Sequence, residues 1–212
     1  MIQHLVDYVA IAVLAASGAV VGVRKGFDLF GIATLAVLTG VGGGVLRDLL
    51  LDLDPPASLQ HWQEITICLA MSLLTTVFTR AVIKLNKLVL VLDAIGMGFF
   101  ATSGAAISID HGASWFAAVV LGVLSAVAGS VMRDVVAREV PLVLGPDDMY
   151  AAPAVLGSVI YVLIDQHGSQ TVGVVVGSLV ATLVRLAAIR FHWRLPTAPS
   201  ELITHVREHA RQ

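Results

Sequence analysis

Two stretches of this sequence put a charged pair directly behind a run of small residues. The first reads Gly40-Val41-Gly42-Gly43-Gly44-Val45-Leu46-Arg47-Asp48, and the second Ala126-Val127-Ala128-Gly129-Ser130-Val131-Met132-Arg133-Asp134. A guanidinium beside a carboxylate can form an ion pair. Clustered glycines offer the chance of exposed backbone carbonyls, at a cost of about 1 kcal/mol each relative to alanine in a helix. Three better-known uses of glycine fail here. A dinucleotide fingerprint needs glycine where Val45 stands, no Lys-Ser/Thr follows to make a phosphate loop, and no potassium filter sequence is present. Two readings remain open for the glycines. They allow a break or kink that frees carbonyls in a protein-lined cavity, or they let two helices pack closely through small residues.

Small hydroxyls accompany both stretches. Ser17, Thr39, Ser103, Ser125 and Ser130 are the polar residues expected between the charged pairs. Such side chains commonly bond back to the carbonyl one turn earlier. A path lined by hydroxyls and carbonyls can also replace part of the water around a monovalent cation. Histidines are scattered, Cys68 is the single cysteine, and no Ser-His-Asp arrangement or paired ligand spacing can be argued. Neither an enzyme nor a metal or cofactor site is expected.

The elements that position these residues follow from composition. The chain has 212 residues, 57% hydrophobic and 13% charged, with a mean hydropathy of +0.88 and a formal net charge of −2. Soluble domains carry roughly 25% charged residues. The deficit is that of helices in lipid, and the near-zero net charge gives no case for nucleic acid. About 20 apolar residues cross a bilayer. Seven segments qualify, near 5–23, 29–51, 65–83, 88–109, 115–136, 149–164 and 171–191, the sixth short and opened by Pro153. The expected fold class is an all-α polytopic membrane protein with seven transmembrane helices. Met1 to Leu5 lacks a basic stretch, so no cleavable leader is expected.

Sliding the chain by 86 residues aligns Asp7 with Asp93, Ser17-Gly18-Ala19 with Ser103-Gly104-Ala105, Gly43 with Gly129, and Arg47-Asp48 with Arg133-Asp134. Residues 7–50 give 15 identities in 44 positions at this offset. Each repeat holds three spans, an odd number, so the second must enter the membrane upside down. The expected division is a first three-helix repeat at 1–87, an inverted second repeat at 88–170, a seventh helix at 171–195 and a cytoplasmic tail at 196–212. Lysine and arginine fix the orientation. Arg24, Lys25, Arg80, Lys84, Lys87 and Arg138 fall in alternate connections, on the same side as the basic C-terminus, while the other connections carry Asp52, Asp54, Glu64, Asp110 and Asp165. The N-terminus is expected in the periplasm and the C-terminus in the cytoplasm of an inner membrane.

Charges inside lipid are costly unless paired, which makes them functional candidates. Inverted symmetry would place Asp7 beside Arg47-Asp48 near one mouth, and Asp93 beside Arg133-Asp134 near the other. These six residues are candidate structural or gating pairs.

Two Gly-then-Arg-Asp helices, an Asp-x9-Ser-Gly-Ala opening to each repeat and seven spans resemble the trimeric intracellular cation channels, in their prokaryotic branch. The resemblance covers residues 5 to about 191. It implies a homotrimer in lipid with one pore in each protomer, surrounded by the first, second, fourth and fifth spans. Potassium would be the main permeant ion, with sodium the second. It also implies that the second and fifth spans are broken or kinked at their glycines; the ion path expected from the residues runs beside these segments, along Ser17, Thr39, Gly42, Gly43, Gly44, Ser103, Ser125, Gly129 and Ser130. The third and sixth spans would pack outside, and the seventh would be accessory. The second repeat departs from the pattern, with Ala126, Ala128 and Ser130 where the first has Gly40, Gly42 and Gly44. A second class stays open, a secondary transporter of a small zwitterion such as glycine.

Overall fold

The computed structural model describes residues 2–84, 87–145 and 149–193, and the expected tail at 196–212 lies outside them. The described chain is helical: α1 (Ile2–Arg24), α2 (Leu29–Leu50), α3 (Ala57–Gln60), α4 (Trp62–Val77), α5 (Thr79–Lys84), α6 (Leu88–Asp110), α7 (Trp115–Val136), α8 (Ala151–Asp165) and α9 (Gln170–Phe191). Five of them, α1, α2, α6, α7 and α9, are long and apolar enough to cross a membrane. The chain is an all-helical, multi-pass membrane protein. Helices α4 and α8 have 16 and 15 residues, about 24 and 22 Å at 1.5 Å per residue, short of the roughly 30 Å hydrocarbon core.

One expected span is divided. Residues 65–83 do not form one helix, because α4 ends at Val77 and α5 begins at Thr79. Hydroxyls bond back to carbonyls on either side of the break: Thr76 Oγ1 donates to the Ser72 carbonyl at 2.8 Å, and Thr79 Oγ1 to the Thr76 carbonyl at 2.6 Å. Pro153 lies in the first turn of α8, where its missing N–H costs nothing.

Helices α1, α2, α6 and α7 form the centre, with α1 on α2, α6 on α7, α1 on α6 and α2 on α7. Helix α4 packs on α1 and α2, α8 on α6 and α7, and α9 on α6 and α8. Backbone punctuation recurs at the 86-residue spacing. Gly26 and Gly112 follow α1 and α6 at φ +70° and +82°, the left-handed turn that suits glycine after a helix. Asp28 and Ser114 then cap α2 and α7, accepting from the Gly31 and Ala117 amides at 2.8 and 3.3 Å. Asp52 and Arg138, after these helices, share φ 57°.

The glycines mark a crossing and not a break. The helical runs of α2 and α7 continue unbroken through them, and the contacts they make are those of close packing, one of the two readings the sequence leaves open. A Cβ on Gly43 would fall inside the van der Waals envelope of the Ser125 carbonyl oxygen, and one on Gly129 inside that of Thr39. These four residues are two equivalent pairs, 39 with 125 and 43 with 129. Each helix thus presses a glycine against the other's carbonyl, and any side chain there would force them apart. Gly42 faces the Met132 sulfur instead, and Gly44 borders open space, its nearest potential neighbours 3.9 Å away.

Candidate functional site

The charged residues gather in two clusters, one where α2 ends and one where α7 ends. Both Arg-Asp units are built alike. Arg47 Nε donates to Asp48 Oδ1 at 2.8 Å, and Arg133 Nε to Asp134 Oδ1 at 2.8 Å. The second carboxylate oxygen accepts a backbone amide from the chain beyond the helix, that of Ala57 at 2.9 Å for Asp48 and that of Leu142 at 3.1 Å for Asp134. Each aspartate therefore steers its arginine and also clamps the returning loop. All four residues are buried, so every charge-assisted bond acts in a poorly screened setting.

At the Arg133 end the cluster is closed. Arg133 Nη1 donates to Asp93 Oδ1 and to Ser17 Oγ, both at 2.7 Å. The Tyr150 hydroxyl donates to Asp93 Oδ2 and lies 2.8 Å from Ser130 Oγ, which also reaches the Val127 carbonyl at 2.9 Å. Arg185 of α9 stacks over the Tyr150 ring at 4.6 Å and donates to the Met149 carbonyl at 3.0 Å. Helix α9, expected to be accessory, thus braces this cluster. Arg133 is fully buried, and its Nη2 has no hydrogen-bond partner. Beyond this knot lies a cavity of about 190 Å³ bordered by Arg24, Lys25, Arg133, Asp134, Glu139 and Leu142, among others. Lys25 and Glu139 pair across it at 2.7 Å.

The Arg47 end is open by comparison. Arg47 Nη2 adds a second bond to Asp48 Oδ1 at 2.6 Å. A cavity of about 140 Å³ reaches this pair, and its lining includes Asp7, Gly44, His61, Glu64, Phe100 and Ser103. The two cavities share no lining residue. Along α1 one takes Asp7 and Ile11 and the other Val21 and Arg24; along α6 the first takes Phe100, Ser103 and Ile107 and the second Val89 and Leu90. The knot of Ser17, Asp93, Arg133 and Tyr150 lies between these stretches.

Among the candidates from sequence, Ser17, Asp93, Ser130, Arg133 and Asp134 meet at one end, and Asp7, Gly44, Arg47, Asp48 and Ser103 line the cavity at the other. Thr39, Gly43, Ser125 and Gly129 meet at the crossing and line neither cavity. Thr39 bonds back to the Leu35 carbonyl at 2.6 Å, while Ser125 Oγ is buried without a partner. Sequence reasoning missed Tyr150, the place of Glu64 at the Arg47 cavity and the packing role of Arg185. The one available signal was Arg185, a lone charge in the interior of an apolar helix.

Comparison with known proteins puts this arrangement in a family. The profile of a family described as "Glycine transporter" matches twice, over residues 4–80 and 90–166. The UPF0126 inner membrane protein YadS of Escherichia coli (strain K12) is 35% identical over 200 residues, covering 93% of this chain and 96% of that protein. A UPF0126 membrane protein of Deinococcus radiodurans is 35% identical over 194 residues, 91% of this chain and 90% of the relative. The TRIC trimeric intracellular cation channel orthologue from Rhodobacter sphaeroides superimposes with a TM-score of 0.86 at 30% identity, covering 91% of this chain and 99% of that one. A structure described as the structural basis for conductance through TRIC cation channels gives a TM-score of 0.85 at 35% identity, with 94% and 98% covered. A profile matched by both halves and solved channels aligned over nearly the whole chain lead to one conclusion: this protein belongs to the prokaryotic trimeric intracellular cation (TRIC) channel family.

Proposed function

We propose that the protein is a passive, potassium-preferring cation channel of the inner membrane, a homotrimer with one pore in each protomer between α1, α2, α6 and α7. The observation that carries this reading is the pair of cavities at opposite ends of these four helices, each reaching a repeat-equivalent Arg-Asp unit. The path runs from the Arg47 cavity past Ser103 and the glycine crossing, by Thr39, Ser125 and Ser17, to the Arg133 cavity. Closure of the Arg133 cluster makes it the gate, since a paired arginine presents little net field to a cation and a released one repels it. Opposite placement of the α2 and α7 C-termini supports two inverted three-helix repeats, residues 1–87 and 88–170, followed by a separate last span at 171–195. In this reading the short α4 and α8 complete seven spans.

Purified protein in a planar bilayer provides the test, with unitary potassium currents as the expected result. A saturable glycine uptake without unitary current would overturn it in favour of a zwitterion transporter. That second reading draws on the family's description and on the contrast between one open and one closed end.

Orientation has its own test. The lysine and arginine asymmetry puts Asp110 in the periplasm. A cysteine introduced at Asp110 should react with an impermeant thiol reagent in intact cells, and reaction only after permeabilisation would reverse the orientation. The native Cys68 is fully buried, so its background should be low.

A further inference from the structure

Helix α9 follows both repeats and packs on α6 and α8 of the second. It ties down the chain just before α8 at three points. Arg185 Cζ lies 4.6 Å from the centre of the Tyr150 ring, and Arg185 Nη1 donates to the Met149 carbonyl at 3.0 Å. The Met149 amide donates in turn to the Trp193 carbonyl, just past the end of α9, at 3.0 Å. Both backbone groups of Met149 and the ring of the next residue are therefore held from one helix. The same helix grips α6 beside Asp93. A Cβ on Gly98 would overlap the Thr182 hydroxyl and the Ser178 carbonyl oxygen, and Thr182 Oγ1 reaches the Ala94 carbonyl at 3.5 Å. Tyr150 and Asp93, which bond to each other, thus take their positions from α9.

We propose that Arg185 is a positioning residue of the gate: it fixes Tyr150, through Tyr150 the carboxylate of Asp93, and through Asp93 the closed placement of Arg133.

Three observations carry the proposal. Arg185 and Tyr150 are each 2% exposed and Asp93 is 1% exposed, so the cation over the ring and the bonds to the carboxylate act in a poorly screened setting. Arg185 also borders neither cavity. A guanidinium within an apolar span is costly, and this one meets the Tyr150 ring and the Met149 carbonyl instead of the path. The Asp93 carboxylate, finally, is shared. Oδ2 accepts from Tyr150 and Oδ1 from Arg133 Nη1, so while Tyr150 stays in place Asp93 cannot turn without breaking one of the two bonds. The other mouth is built differently, since the position equivalent to Tyr150 is Glu64, which lines the cavity there.

The effect on gating rests on the channel reading, and the test separates the two. Single-channel recordings compare wild type, Arg185→Gln, Arg185→Lys, Tyr150→Phe and the double variant of Arg185→Gln with Tyr150→Phe. Losing the buried cation from the ring should raise the ratio of open to closed times roughly five- to thirtyfold. Unitary conductance should stay the same, because Arg185 lies off the path. Arg185→Lys keeps a cation and should recover part of the wild-type ratio. Tyr150→Phe keeps the ring and loses the bond to Asp93, so it should raise the ratio too. In that background Arg185→Gln should add little, as its route to Asp93 is already cut. A lowered unfolding midpoint with an unchanged ratio would make Arg185 a structural residue only and overturn the proposal. An equal rise with and without the Tyr150 hydroxyl would do the same. If Arg185→Gln does not fold, Arg185→Lys takes its place in the comparison, with a smaller rise expected. Unfolding midpoints in detergent read the link without conduction: the fall caused by Arg185→Gln should be smaller in the Tyr150→Phe background. Absent currents with that coupling intact would defeat the channel and leave the link standing. Currents with additive midpoints and additive ratios would do the reverse.

Discussion

Alanine at Gly43 is expected to destabilise the folded protein by about 3 kcal/mol or more, while alanine at Gly44, one residue along the same helix, is expected to be neutral or stabilising. The difference lies in what each new methyl meets. At Gly43 it meets the Ser125 carbonyl of α7, a backbone atom that cannot turn aside as a side chain would. Overpacking a core usually costs about 1–3 kcal/mol through shifted rotamers; here the only relief is to separate two central helices. At Gly44 the methyl has ordinary van der Waals distances, and the gain in helix propensity of about 1 kcal/mol is left to act. Gly129 should behave like Gly43, because it presses on the Thr39 carbonyl in the same way. Unfolding midpoints in detergent decide the matter. Equal midpoints for Gly43→Ala and Gly44→Ala would show that the crossing does not hold the centre together.

The second large effect is expected at Arg133. Its guanidinium is fully buried and forms ion pairs with both Asp93 and Asp134. Arg133→Gln strands two carboxylates in a buried site, and breaking a buried pair by removing one partner costs about 3–5 kcal/mol. The equivalent change at Arg47 should cost less, because both hydrogen bonds of its guanidinium go to Asp48, so one carboxylate is stranded instead of two. Adding Asp93→Asn to Arg133→Gln should recover part of the loss by removing one of the stranded charges. Heat unfolding of the three variants measures the coupling directly. A double variant no more stable than Arg133→Gln alone would show that Asp93 and Arg133 do not depend on each other. In bilayers the same substitution should raise cation current if the folded protein is recovered, since it opens the proposed gate.

The parts of this design that were legible in the sequence are those written locally or written twice. The 86-residue offset and the Arg-Asp units announce themselves through residue type at fixed spacing. Each side chain then acts within a few residues of its own position. The hidden parts depend on distance in the chain or on a difference between the copies. Tyr150 reaches Asp93 across 57 residues, and alignment with Glu64 disguises it, since a phenol and a carboxylate share no obvious role. The glycines were ambiguous for a different reason. Clustered glycine permits either a broken helix or a close crossing, and only the partner helix, with its own glycine at the matching height, selects the crossing. The break at Phe78 was masked by apolar composition, because hydropathy measures how apolar a stretch is and not whether it is one helix.

The crossing also bears on how the two halves can diverge. Gly43 fits only because Ser125 offers a bare carbonyl, and Gly129 only because Thr39 does, so each half supplies the surface that the other requires. A substitution that adds bulk at any of these positions is felt in both copies at once, and a tolerated change in one half needs an answering change in the other. No such reciprocity binds Glu64, which lines the cavity at one end, to Tyr150, which is buried in the cluster at the other. A duplicated gene with this architecture is held to shared ancestry where its halves touch and is free to specialise at its two ends.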